Sequence, residues 1–146
     1  METFYYLATH AHSGWRWVVL ILLILAFVKG LSGMKGGKEF AAKDKKLGMF
    51  AMIAFHIQFL VGWVLYFLSD KVFFGSGMMK DSMYRFFTVE HSLIMTISMV
   101  LITIGHSKAK KKQDDVQKFR MIAIFYTLAL ALILVGIPWP FRAALG

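Results

Sequence analysis

Cysteine is absent from the 146 residues and proline occurs only twice. Lack of cysteine rules out disulfides, thiolate zinc sites, iron–sulfur clusters and the CxxCH attachment motif. Charge is also scarce, with 17% of residues Asp, Glu, Lys or Arg, and these gather in clusters between long apolar stretches. What charge exists is lopsided: net +9, with a pI near 9.9. A basic balance suits nucleic acid, but no helix-turn-helix, finger or RNA-binding pattern receives these lysines, so nucleic acid is not expected as a partner.

The bulk of the chain is apolar. Hydrophobic residues make up 58% and mean hydropathy is +0.62, above the ~45–50% apolar share of soluble domains. The expected class is a single-domain integral membrane protein. Four stretches, roughly 4–33, 47–69, 84–107 and 120–138, reach the ~20 residues a helix needs to cross the hydrocarbon layer. The second carries no formal charge, whereas the first holds Arg16 and Lys29 and the third holds Glu90. Pro138 and Pro140 in Ile-Pro-Trp-Pro-Phe end the fourth. The chain opens Met-Glu and lacks the basic start and small-residue cleavage site of a leader, so the first apolar segment is read as a retained helix.

Loop 34–47 carries Lys35, Lys38, Lys43, Lys45 and Lys46, and loop 107–120 carries Lys108, Lys110, Lys111, Lys112, Lys118 and Arg120. The opposite side has Lys71, Lys80, Arg85 and Arg142. The positive-inside rule then places both termini in the periplasm and the two lysine-rich loops in the cytoplasm. Helices entering and leaving alternately through short loops pack most simply as an all-α antiparallel four-helix bundle.

Ionisable residues within a span cost several kcal/mol unless paired or used, which singles out His12, Arg16, His56, Glu90 and His91. At ~100° and ~1.5 Å per residue, Arg16 lies ~40° round from His12 and one turn deeper, so both face one interior gap. His12 and His91 sit at matching depth on facing helices, the arrangement bis-His ligation of one haem b requires, and Arg16 suits a propionate. His56 is nearer the bilayer centre, and His56 with His91 stands as the alternative pair. His10 and His106 sit nearer helix ends and are read as interfacial. Glu90 is expected to neutralise Arg16 or Arg85. Gln58, Thr96, Ser98 and Thr103 are expected to make interhelical hydrogen bonds. Three further readings stay open: a polar packing network, a quinone or proton site, and a metal site that adds Glu90.

The strings His12-Ser-Gly-Trp-Arg-Trp17, His56-Ile-Gln-Phe-Leu-Val-Gly62, Arg85-Phe-Phe-Thr-Val-Glu-His91 and Ile137-Pro-Trp-Pro-Phe-Arg142 resemble those of a small four-helix membrane family of Bacteroidetes-type bacteria, usually labelled cytochrome b. The resemblance implies haem and a bacterial inner-membrane location, with His12, Arg16, His56, Glu90, His91 and Arg142 as the matching positions. The expected function is an electron-transfer subunit that takes electrons from quinol or a redox partner in a larger membrane complex. The alternative is a non-redox accessory subunit of a respiratory or secretion complex.

Overall fold

Residues 1–141 are described by the computed structural model, so Arg142 lies outside the described residues. The described chain is helical throughout its long elements: α1 (Glu2–Met34), α2 (Ala42–Leu68), α3 (Ser82–Lys111) and α4 (Asp115–Gly136). Each is long and apolar enough to cross a membrane. Three of the four extend several residues beyond the apolar windows, because their polar first turns are capped. Asp81 accepts the Tyr84 N–H at 3.0 Å, Asp114 accepts the Gln117 N–H at 3.3 Å, and Asp44 reaches back to the Ala41 N–H at 2.9 Å. Such bonds satisfy amide donors that a helix start leaves free. Helix α4 stops at Gly136, two residues short of the expected end, as Pro138 restricts the residue before it.

The main contacts run α2 to α1, α1 to α4 and α4 to α3, and a thinner seam joins α3 to α2. Neighbours run antiparallel: Trp17 of α1 meets Trp139 just past α4, whereas Gly30 of α1 meets Ala123 near the α4 start. The core holds Val19, Leu23, Phe55, Ile102 and Tyr126. Within it the Tyr126 hydroxyl donates to the Gly48 carbonyl at 2.7 Å, tying α4 to α2. Buried Asp44 lies 3.3 Å from Lys29 Nζ, which gives the lysine in α1 an acid partner.

Small residues allow α1 and α4 to approach closely. A Cβ on Gly30 would stand 2.9 Å from the backbone nitrogen of Ala123, which cannot rotate aside. Gly30→Val is therefore expected to cost about 1–3 kcal/mol through overpacking, read as a lower melting temperature of the detergent-solubilised protein. An unchanged melt would mean that the two helices are free to separate.

Much of the outer surface along the helices is apolar. Ile21, Ile24, Leu25, Val28 and Leu31 of α1 point outward, as do Leu60, Val64 and Phe67 of α2 and Leu93, Ile97, Val100 and Ile104 of α3. An apolar belt of this extent is far larger than the patches a monomeric soluble protein leaves in water. It suits a lipid bilayer, and the fold is compatible with a multi-pass membrane protein.

Candidate functional site

Two prolines prepare the site. In a continuing helix the carbonyls of Leu134 and Gly136 would accept N–H bonds from residues 138 and 140, but both are proline and have no N–H to give. Side chains fill both gaps. The Trp139 indole donates to Leu134 O at 2.8 Å, and His91 Nδ1 lies 2.7 Å from Gly136 O. A carbonyl only accepts, so Nδ1 of His91 carries the proton and Nε2 keeps its lone pair. Metal-binding histidines are typically held this way, by a carbonyl on the second nitrogen.

His91 also follows a local departure from α geometry. Phe86–Glu90 forms a π turn, in which the His91 N–H bonds to Phe86 O, five residues back. Such turns appear mostly as single wide turns and often at functional positions. Here the Thr88 carbonyl takes the Tyr66 hydroxyl at 2.8 Å and the Ser92 hydroxyl at 3.1 Å, while the Thr88 hydroxyl accepts the Phe73 N–H at 3.0 Å. The wide turn is thus braced from α2 and from the 69–81 loop. Sequence periodicity predicts an unbroken α-helix here, and no side-chain pattern in Phe-Phe-Thr-Val-Glu marks the extra residue.

Opposite His91, the His12 imidazole packs over Gly62 of α2: a Cβ there would stand 3.1 Å from His12 Cε1. Gln58, one turn earlier, donates to the His12 carbonyl at 2.8 Å and fixes α2 against α1 at this level. The two rings come within 6.4 Å, centroid to centroid, with their planes at 76°. Both line a cavity of about 300 Å³ bounded by α1, α2, α3 and the end of α4, at the lower end of the ~300–1,000 Å³ range of small-molecule sites.

Arg16 lines the same cavity. Its guanidinium carbon lies 5.1 Å from the Trp17 ring and 5.8 Å from the Trp139 ring, cation–π contacts at the edge of useful range. Among the described residues the ion pairs are Lys29 with Asp44 and Arg85 with Glu90, so no acid balances Arg16. The polar atoms His12 Nδ1, Arg16 Nε and Gln58 Oε1 are buried without a hydrogen-bond partner. All three belong to residues that line the cavity, and leaving such atoms bare costs about 1–3 kcal/mol each, so its wall offers polar groups to a ligand.

His56 is placed elsewhere. Its Nε2 lies 2.9 Å from the Thr103 hydroxyl, which itself donates to Met99 O, so the imidazole bridges the α2–α3 seam and is not part of the cavity lining. Glu90 is held by Arg85 at 2.8 Å and makes no ion pair with Arg16. His10 stacks edge-on with Tyr6, and His106 lines a second, smaller cavity. Gln58 and Thr103 link helices as expected, whereas Thr96 and Ser98 donate to carbonyls of their own helix four residues back and make no cross-helix bond. No group of three or more His, Cys, Asp or Glu able to hold a metal occurs among the described residues. The structure offers a histidine pair, not a three-ligand metal cluster.

The pair places two imidazoles where one small group could meet both. A metal ion bound by both imidazoles would stand about 2 Å from one nitrogen of each, a spacing that ring centroids 6.4 Å apart allow. Arg16 on the same cavity offers a cation without an acid partner among the described residues, which suits a carboxylate. Comparison with family models, curated proteins and solved structures yields no match.

Proposed function

We propose that the chain is a multi-pass antiparallel four-helix bundle of the bacterial inner membrane that holds one b-type haem between His12 and His91 and serves as an electron-transfer subunit. The observation that carries this reading is the imidazole pair: two rings from different helices, 6.4 Å apart, face one cavity, and one of them is locked by Gly136 O with its other nitrogen free. Haem supplies one-electron chemistry when bound. The protein's part is to ligate through the two imidazoles, to place the Arg16 guanidinium against a carboxylate, and to keep water out with Phe55, Phe59, Phe87 and Met95, all lining the cavity. Quinol or a neighbouring subunit of a larger membrane complex is the proposed electron partner. The resemblance to the four-helix family labelled cytochrome b supports the same reading.

A second reading, an accessory subunit whose histidines only fasten helices, draws on the His56–Thr103 and His91–Gly136 bonds. Haem content separates the two. Purified protein supplied with haemin should take up one b-type haem per chain by pyridine haemochrome assay. A stably folded protein that takes up none would leave the accessory reading.

The lysine asymmetry supports periplasmic termini. As the chain has no native cysteine, Lys43→Cys and Lys111→Cys each carry a single label site. Neither should react with an impermeant maleimide in intact spheroplasts, and both should react after lysis. Labelling of either before lysis would reverse the orientation.

A further inference from the structure

The lysine-rich end of the fold carries a second cavity, of about 130 Å³, where the start of α2, the end of α3 and the start of α4 meet. Lys45, Lys110, Lys118 and His106 line it, beside Phe40 and Ile122. Asp44 also borders it, but its carboxylate is already engaged by the Ala41 N–H and by Lys29. None of the three lysines has an ion pair among the described residues. Lysines brought from three helices to one concavity repel one another, and such a cleft focuses a positive field that an anion relieves. The positive end of the α2 dipole adds to that field.

The surroundings narrow the chemistry. The cavity sits at the ends of apolar helices, where a bilayer's headgroups would lie if those helices span it. Lys118 is half-buried with its Nζ 5.7 Å from the Phe40 ring centroid, so its ammonium is held beside an aromatic that also lines the cavity. Basic pockets between helices on the cytoplasmic side suit phospholipid headgroups. We propose that this cavity binds a phosphate group, carried by an anionic phospholipid or present as the free ion. This site is separate from the His12–His91 cavity and does not rest on the haem reading.

The test is binding by detergent-purified protein at fixed ionic strength, with three probes: phosphatidylglycerol, phosphatidylcholine of the same acyl chains, and inorganic phosphate. Phosphatidylglycerol should be retained at least tenfold better than phosphatidylcholine, by native mass spectrometry. The triple change Lys45→Ala, Lys110→Ala and Lys118→Ala should remove at least tenfold of that affinity. Lys35→Ala, Lys111→Ala and Lys112→Ala, which delete the same charge outside the cavity, should lose less than threefold. Saturable binding of inorganic phosphate with the same dependence on the cavity lysines would support the site and assign it to the soluble ion. Should the cavity triple not fold, Lys110→Gln at an exposed position carries the test, with about a threefold loss expected. Equal losses from both triples, an unchanged Lys110→Gln, or no preference for either anion would overturn the proposal.

Discussion

His91→Ala and His12→Ala are each expected to abolish low-spin haem, while His10→Ala, His56→Ala and His106→Ala leave it intact. The asymmetry follows from placement. His12 and His91 face one cavity, whereas His56 spends its Nε2 on Thr103 across a different seam. Loss of one axial nitrogen leaves a five-coordinate iron or an empty site. His91→Ala should have a further cost, because Gly136 O then has neither an amide nor an imidazole donor, and an orphaned buried carbonyl costs about 1–3 kcal/mol. A lower melting temperature in His91→Ala than in His12→Ala, measured without haem, checks that part independently. If His56→Ala destroys the low-spin spectrum and His12→Ala does not, ligation belongs to His56 and His91.

Arg16→Gln should keep the ligands and lower the reduction potential. A fixed positive charge favours the reduced, less positive iron, so its removal moves the potential down. At an effective dielectric of about 20 and a separation of about 10 Å, a unit charge is worth roughly 1.7 kcal/mol, or about 70 mV for one electron. A shift of that order is the expected result of redox titration. An unchanged potential with haem retained would remove Arg16 from the site and leave it as a cation held by Trp17 and Trp139 alone.

Hydropathy alone makes the four helices legible, since each apolar window exceeds what a soluble core helix needs. The true starts of α2, α3 and α4 are set by single aspartates, Asp44, Asp81 and Asp114, which a hydropathy window averages away. The pairing of His12 with Arg16 is readable because both lie on one helix, where spacing fixes direction. The pairing of His12 with His91 is also readable from matched depth. What sets His12 rather than His56 on the cavity wall is not: it depends on Gly62 making room for the His12 ring, and no spacing rule relates residue 62 of one helix to residue 12 of another. The prolines were readable as helix terminators. Their second effect, exposing Gly136 O for His91, requires knowing which helix lies alongside. The π turn at Phe86–Glu90 is set by bracing from Tyr66 and Phe73, partners distant in sequence.

The central claim is that His12 and His91 together hold an iron porphyrin, and electron paramagnetic resonance of the oxidised, haem-loaded protein tests it most directly. Two axial imidazoles with planes near the observed 76° predict a low-spin ferric signal of the strongly anisotropic kind given by near-perpendicular ligand planes, lost in both His12→Ala and His91→Ala. A high-spin ferric signal in the unmodified protein, or a low-spin signal that survives both substitutions, would contradict it.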